Sequence, residues 1–251
     1  MAVGLAAKGY RIHLADVVAT EELATELGGV PHRVDVTRPD DMAALADAAR
    51  DACLVCLNAG VLGRTMGAPW EADATEWERV LRINLMGVVN GLRVFVPRLV
   101  DVGEPAQILI TASLAGLVTF PGGGAYAASK HAVVAVAEQT ALALTDTEVT
   151  VTLLCPALVR TGMSEVGEDA DEVAAAAMEA AAAGRFLVTP EEWHAAVARR
   201  GEDLVQERGR GCRRWARPLR RPPPKRTDPA SHENPLPALI RWRLRPVDGG
   251  P

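Results

Sequence analysis

The chain has 251 residues and a net charge of −5, which fits one α/β domain rather than several. Hydrophobic residues make up 49% of it, which is enough for a buried core and excludes a fully disordered chain. Aromatic residues are only 4%, which disfavours a nucleic-acid platform of stacked rings.

Short runs rich in Val, Ile and Leu alternate along the chain with segments of helical periodicity. The first ten residues predict the end of a helix closed by Gly9. The predicted strands are 11–16, 32–36, 53–57, 107–113, 150–155 and 186–189. The predicted helices are 19–27, 39–51, 73–99, 124–145, 172–183 and 190–206, with an irregular polar segment at 157–172. Such alternation predicts a doubly wound, Rossmann-like parallel sheet covered on both faces.

Two segments invite other interpretations. Cys53 and Cys56 form a C-x-x-C pair, but they lie within the apolar run CLVCL, for which we expect a buried strand rather than redox or metal chemistry. Residues 105–129 carry no charge, yet Pro121 and three following glycines would interrupt a membrane helix. We therefore predict no metal site and no membrane segment. Four cysteines and no secretory signal predict a cytoplasmic protein.

Five residues lie at or just beyond the carboxyl ends of the predicted strands. Because parallel strands end at the same edge of a sheet, and open α/β sheets bind ligands there, these residues are candidates for one site. They are Asp16, Asp35, Asn58, Ser113 and Pro156.

Tyr126 and Lys130 lie one turn apart on a predicted helix, in the pattern Y-x-x-x-K. A phenol is a poor acid or base at neutral pH unless a neighbour tunes it, and an ammonium favours the phenolate. Ser113 could hydrogen-bond a substrate oxygen held against Tyr126, although a helix-capping or turn serine is the alternative. Asn84, in the apolar run INLMG, is a second polar candidate, or a structural asparagine.

In combination these motifs resemble the short-chain dehydrogenase/reductase family. The motifs are LNAG at 57–60, Asn84, S-x-A-G at Ser113, YAASK at Tyr126 and PALVRT from Pro156, and the resemblance covers about residues 2–200. It implies that Tyr126 is the catalytic acid/base, that Lys130 lowers its pKa and binds the nicotinamide ribose, that Ser113 orients the reacting oxygen, and that Asn84 holds a water of a proton relay.

The resemblance also implies a set of cofactor contacts. Asp16 would accept hydrogen bonds from the adenosine ribose and repel a 2′-phosphate, which predicts NAD over NADP. A turn aspartate is the alternative. The other cofactor-binding residues implied are Asp35 and Val36 at the adenine, Asn58, Ala59 and Gly60 in the N-A-G turn, Tyr126 and Lys130, and Pro156, Val159 and Thr161 near the carboxamide and pyrophosphate.

The chain departs from the family at its start. The family's first strand and its turn T-G-x-x-x-G-I-G have no counterpart here, and Gly4 is the only glycine before Gly9. In the family's strand order the missing strand would lie between the strands ending at Asp16 and Leu57, so we expect two unpaired strand edges. We also expect about thirty further residues upstream in the working protein, roughly one strand–turn–helix unit.

The end of the chain differs in composition from the rest. From Glu207 onward there are twelve Arg or Lys and four Asp or Glu. We therefore divide the chain into a catalytic domain at 1–206 and a basic, Pro/Arg-rich tail at 207–251. The tail is interpreted as disordered or translated out of frame. The alternatives are a basic arm for acidic partners or nucleic acid, and a proline-rich interaction segment.

The sequence thus predicts an oxidoreductase that transfers a hydride between NAD(P) and a secondary alcohol or carbonyl substrate of small-molecule size. The alternative is a catalytically impaired relative, or a binding protein on the same scaffold. Nucleic-acid binding is a third and less favoured interpretation. By the resemblance, the helices at 73–99 and 124–145 would pack between subunits of a homodimer or homotetramer.

Overall fold

A computed structural model describes residues 1–162 and 164–205. In this part of the chain helices and strands alternate, as the sequence predicts. The helices are α1 (Ala2–Ala6), α2 (Glu21–Leu27), α3 (Pro39–Ala48), α4 (Ala74–Leu81), α5 (Gly87–Val102), α6 (Gly124–Ala143), α7 (Ala170–Ala182) and α8 (His194–Val205). The strands are β1 (His13–Asp16), β2 (Val30–Arg33), β3 (Leu54–Leu57), β4 (Ala106–Thr111), β5 (Val149–Leu154) and β6 (Leu187–Val188).

All strand pairings among the described residues are parallel, and they form two sheets. One sheet holds β1 and β2, and the other has the order β3-β4-β5-β6. The strands ending at Asp16 and Leu57 are not paired with one another, as expected. The α/β class and the parallel topology are confirmed.

Apolar side chains cover both faces of the four-stranded sheet because alternate strand residues point to opposite sides. On one face, strand residues such as Ile108, Ile110 and Leu153 pack with Val88 of α5 and Val133 of α6. On the other face, a smaller cluster joins the strands to α7 through Leu109, Leu154, Ala177 and Ala181. The sheet therefore lies between two helical layers.

The predicted helix at 73–99 is present but is interrupted. A π-helical turn, Arg82–Met86, joins α4 to α5, and α5 continues to Val102. The whole stretch Ala74–Val102 is long and apolar enough to span a membrane by length and composition alone. Here it is a core helix, since Val88, Phe95 and Leu99 are buried against the sheet.

Two sequence predictions need correction. Strand β2 covers Val30–Arg33 rather than 32–36, because the amide of Asp35 donates to Asp41 Oδ2 instead of continuing the ladder. The run CLVCL is a strand, but only one of its faces is buried. Val55 and Leu57 are buried, whereas Cys53 and Cys56 are exposed free thiols. The tail at 207–251 lies outside the described residues, so its predicted disorder stays a prediction.

Candidate active site

The candidate residues lie at or just after the carboxyl ends of strands in the two sheets. Asp16 is the last residue of β1, Asn58 follows β3, and Ser113 and Pro156 each come two residues after their strands end. Because β3, β4 and β5 are parallel neighbours in one sheet, Asn58, Ser113 and Pro156 lie at the same edge of that sheet, whereas Asp16 ends a strand of the other sheet. The amide of Leu114 donates to Pro156 O at 2.8 Å, which joins two of the segments directly.

Tyr126 lies in the first turn of α6, and its side chain is near enough to that of Ser113 for the serine to oppose the rise in its pKa. Ser113 also accepts a hydrogen bond from the amide of Ala115 at 3.1 Å, so it caps the short 3-10 turn Leu114–Gly116. The capping role and the pairing with the phenol are therefore compatible. The two hydroxyls together form the pair expected to hold a substrate oxygen.

Asn84 is fully buried in the π-helical turn and uses both ends of its amide. Its Oδ1 accepts from the amide of Val61 at 2.7 Å, and its Nδ2 donates to Val61 O and to Ser129 Oγ, each at 2.9 Å. Ser129 Oγ in turn donates to the carbonyl of Tyr126 at 2.7 Å. Asn84 thus joins the loop after β3 to the helical turn that carries Tyr126.

Lys130 is buried, with only 4% of its surface exposed. Its ammonium donates to Thr111 O at 3.0 Å and lies 5.8 Å from the centre of the Tyr126 ring. Burial lowers the pKa of Lys130 to about 8, against an ordinary value of 10.5. The ammonium is therefore mostly protonated at neutral pH, but its pKa lies only about one unit higher.

The effect that the resemblance implies for the phenol is not found here. Burial raises the pKa of Tyr126, the hydrogen bond from Ser113 opposes that rise, and the neighbouring Cys155 adds to it. The physical reason is that burial disfavours the phenolate more than its polar neighbours favour it. In this structure Tyr126 is a neutral phenol, which is the protonation state of a proton donor.

Asp16 and Asp35 make the same kind of turn at the ends of the two strands of the small sheet, each accepting from the amide two residues later. Asp16 is exposed and its Oδ1 accepts from the amide of Val18 at 3.2 Å, which is the turn geometry of the alternative interpretation. Its other oxygen is open to a ligand. Asp35 Oδ1 accepts from the amide of Thr37 at 2.9 Å, and this bond is the main cause of the lowered pKa of Asp35. Val36 is held by Asn90, whose Nδ2 donates to Val36 O at 2.9 Å.

The turn Asn58–Ala59–Gly60 leaves space beside the buried amine. Asn58 and Ala59 are exposed, whereas Gly60 is so close to the centre that a Cβ there would lie 3.3 Å from Asn84 Oδ1 and 3.5 Å from Lys130 Nζ. Lys130 carries three N–H groups and makes one hydrogen bond within the described residues. A dinucleotide with ribose hydroxyls fits this donor set.

The segment after Pro156 is folded back on itself. Val159 pairs with Glu168 and Thr161 with Ser164 through isolated bridges. Arg160 clamps the segment, since its guanidinium donates to Gly167 O and to Asp169 Oδ2, both at 2.9 Å. The described part of this segment contains no helix or strand before α7, as the sequence predicts, but these bonds hold it closed on itself.

The comparisons with known proteins decide the family. The model of the short chain dehydrogenases matches residues 1–172. The chain belongs to the short-chain dehydrogenase/reductase family. It is similar to 1-deoxy-11-beta-hydroxypentalenate dehydrogenase of Streptomyces avermitilis, with 37% identity over 207 residues that cover 73% of this chain and 76% of that enzyme. It is also similar to 3beta-hydroxysteroid dehydrogenase 2 of Eggerthella lenta, with 34% identity over 172 residues, 66% of this chain and 65% of that enzyme.

A solved structure agrees with this family. A short chain dehydrogenase/reductase from Burkholderia phymatum in complex with NAD has a TM-score of 0.72 and 31% identity, and the match covers 92% of each chain. The Rossmann-type fold, the assignment as a dehydrogenase/reductase and the nicotinamide cofactor are therefore confirmed.

Sequence reasoning missed three residues of this dehydrogenase/reductase site. Ser129 bridges Asn84 to Tyr126, and Thr111 provides the carbonyl for Lys130. Cys155 is a buried thiol beside both Tyr126 and Lys130, and burial raises its pKa to about 12. Ser129 lies within the motif YAASK and could have been found there, but no pattern distinguishes Thr111 or Cys155 from ordinary strand residues.

Proposed function

We propose that this short-chain dehydrogenase/reductase interconverts a secondary alcohol and a ketone with Asn84, Ser113, Tyr126 and Lys130 as its catalytic residues. The observation that carries the proposal is that these side chains lie close together. Ser113 is near the Tyr126 hydroxyl, Lys130 Nζ is 5.8 Å from the centre of the Tyr126 ring, and Asn84 is joined to the backbone of Tyr126 through Ser129. In the reducing direction Tyr126 donates its proton to the carbonyl oxygen as the carbonyl carbon receives a hydride. In the oxidising direction the phenolate takes the alcohol proton.

The bound cofactor supplies the hydride chemistry, and the chain supplies its binding groups. Asp35 and Val36 would contact the adenine, and Asn58, Ala59 and Gly60 would line the path to the nicotinamide. Lys130 would bind the nicotinamide ribose beside Tyr126, and Pro156, Val159 and Thr161 would hold the carboxamide end. The exposed carboxylate of Asp16 favours NAD, since it would repel the 2′-phosphate of NADP.

The substrate class we propose is a carbocyclic, largely apolar secondary alcohol. The support is that relatives of this chain are named for hydroxypentalenate and hydroxysteroid substrates. The ring framework of such a substrate is apolar, so an apolar contact surface must provide much of its binding. The cytoplasmic location and the homo-oligomeric state stay predictions.

A direct assay tests the proposal. The protein is incubated with NAD or NADP and with two secondary alcohols, cyclohexanol and the 3β-hydroxysteroid epiandrosterone, and reduced cofactor is followed by its absorbance. We expect NAD-dependent oxidation that is faster with the steroid. Failure to oxidise either alcohol, or to reduce the matching ketones with NADH, contradicts the proposed function.

One observation favours the impaired-relative alternative. The described strands form two sheets that are not hydrogen-bonded to each other, and the proposed cofactor contacts lie on both. If this division persists in solution, NAD could bind without turnover. Calorimetric titration with NAD separates the cases, because binding without oxidation or reduction supports a binding protein on this scaffold.

A further inference from the structure

The loop between β3 and α4 is fixed at several points along its length. At its start the amide and carbonyl of Val61 are both bound by the buried side chain of Asn84. Further along, Gly67 pairs with Gly123 in a parallel bridge directly before α6. The loop therefore lies against the end of α6 that carries Tyr126.

Glycines make this close contact possible. A Cβ on Gly124 would be 3.4 Å from Gly67 O and 3.8 Å from Thr65 O, so the loop backbone rests on the backbone of the helix start. Gly124 also has a φ of +44°, which side-chain-bearing residues rarely adopt. The sequence GGG at 122–124, which the proposed catalytic roles do not explain, is thus the surface on which the loop lies.

Glu76 is the buried charged group that holds the middle of this loop. It is 7% exposed, its Oε1 accepts from the amide of Arg64, and its Oε2 accepts from Arg79 Nε at 3.3 Å. Burial alone would raise the pKa of Glu76, but the bonds from Arg64 and Arg79 oppose it and the net pKa is lowered. The carboxylate is therefore charged at neutral pH, and it accepts a hydrogen bond from the loop backbone at Arg64.

The local sequence shows that this is not ordinary helix capping. Asp73 caps α4 by accepting from the amide of Glu76 at 2.8 Å, as in the first half of a capping box. In a complete box the Glu side chain returns to the cap residue's own amide, but here Glu76 reaches across to Arg64 instead. It lies so close to Gly63, whose φ is +99°, that a Cβ there would be 2.9 Å from Oε1.

The fixed loop carries an exposed aromatic side chain. Trp70 is 84% exposed, while its neighbours are held: Glu71 accepts from the amide of Ala68 at 2.8 Å, and Trp77 Nε1 donates to Pro69 O at 3.1 Å. An indole kept in water on an otherwise ordered loop is available for contact with a ligand. It lies three residues after Gly67, whose bridge to Gly123 holds the loop against the start of the helix that carries Tyr126.

We infer that residues 61–71 form a preformed substrate-recognition loop, with Glu76 as its positioning residue and Trp70 as the side chain that contacts the apolar part of the substrate. The inference about Trp70 rests on the proposed function, whereas the inference about Glu76 concerns the free protein. Tryptophan suits the ring framework of a carbocyclic alcohol because it provides a large, stiff apolar contact surface.

Hydrogen exchange of the free protein tests the anchor. In Glu76→Gln the amide of Arg64 loses a charged acceptor, and we expect exchange in residues 63–68 to be at least about tenfold faster. Glu78→Gln, an exposed position on the same helix, is the matched control and should leave it unchanged. If Glu76→Gln does not fold, Glu71→Ala at an exposed position releases the Ala68 amide and should speed exchange in the same residues. Unchanged exchange in the folded anchor variant overturns the inference.

Kinetics test the contact. We expect Trp70→Ala to raise the KM for epiandrosterone about tenfold, with the KM for cyclohexanol and the Kd for NAD unchanged. Leu142→Ala, which removes an apolar side chain 69% exposed near the other end of α6, is the control and should change none of these values. Glu76→Gln should raise the same KM about fivefold with kcat retained, a split that a purely structural loss of stability would not produce.

The outcomes are separable. An equal KM for the steroid in Trp70→Ala and the parent overturns the role of Trp70. A parent protein that neither binds NAD nor turns over either alcohol overturns the proposed function, and the role of Trp70 with it. Even then the exchange rates of residues 63–68 decide whether Glu76 anchors the loop.

Discussion

The four-stranded sheet carries the proposed catalytic edge, with Ser113, Tyr126 and Lys130, and the two-stranded sheet carries the proposed adenine edge, with Asp16 and Asp35. The candidate residues at these two edges differ in burial and in hydrogen bonding. At the catalytic edge, Asn84 and Lys130 are buried and hydrogen-bonded to groups from other elements. At the proposed adenine edge, Asp16 is exposed on a strand with one neighbouring strand, and its side chain bonds only within its own turn among the described residues. The proposed catalytic side chains are thus held by buried hydrogen bonds from several elements, whereas the proposed preference for NAD depends on one exposed carboxylate.

This difference predicts that changes at the catalytic edge affect kcat or stability strongly. Changes at the adenine edge should affect cofactor affinity alone, and more weakly. The predictions below test that division, from the largest expected effect to the smallest.

After the loss of the Tyr126 hydroxyl itself, the largest effect is expected for Ser113→Ala. It removes the hydroxyl that pairs with Tyr126 and would orient the substrate oxygen, so we expect kcat to fall about 100- to 1000-fold. The Kd for NAD should stay within about twofold, as measured by calorimetry. A fall in NAD affinity with kcat retained would break the comparison, because it would place Ser113 in cofactor binding instead.

Asn84→Leu should destabilise the protein by about 3 kcal/mol, because the amide and carbonyl of Val61 lose the partner that satisfies both. Urea unfolding measures the change. Asn58→Ala, at an exposed position of the nearby turn, is the control, and we expect a change below about 0.5 kcal/mol. Equal losses of unfolding free energy in the two variants would show that the hydrogen bonds of Asn84 to Val61 do not stabilise the fold.

The pH dependence of stability should reveal the buried amine. The pKa of Lys130 is lowered from 10.5 to about 8, so between these values the unfolded chain binds a proton that the folded chain does not. The free energy of unfolding should therefore rise with pH across this window, and the stabilisation is lost as pH falls through about 8. We expect the stability difference between the parent and Lys130→Met to change by about 2 kcal/mol between pH 8 and 10. A constant difference would mean that the amine is solvated in solution.

The smallest effect is expected for Asp16→Arg. Replacing the carboxylate by a guanidinium should shift the preference from NAD towards NADP by at least about tenfold, measured as the ratio of their KM values. The value of kcat should be retained, since Asp16 lies away from the reacting atoms. An unchanged ratio would show that Asp16 does not select the cofactor and serves only in the turn, where it accepts from the amide of Val18.

Much of this architecture could be predicted from the sequence. Apolar strands alternating with amphipathic helices predict the parallel sheet, and the spacing of Ser113, Tyr126 and Lys130 predicts residues that the structure brings together. Local patterns carry this information because strand ends and helical turns have fixed geometry.

What the sequence could not predict depends on contacts between distant segments. The π-helical turn at Arg82–Met86 interrupts a stretch whose sequence predicts one continuous helix, and it is associated with the bonds from Asn84 to Val61 and Ser129. Strand β2 ends at Arg33 because a side chain of α3 takes the amide of Asp35. The direction of the pKa shift at Tyr126 depends on burial, which no spacing of Tyr and Lys reveals.

The most direct measurement is the rate of hydride transfer in Tyr126→Phe. This change removes one hydroxyl and leaves the ring, so that NAD binding should be retained. We predict that kcat falls at least about 1000-fold both in the oxidation of the 3β-hydroxyl group of epiandrosterone and in the reduction of the resulting 3-ketone, because the group that transfers the proton is gone. A Tyr126→Phe protein that turns over either substrate within threefold of the parent would contradict the central role of this phenol.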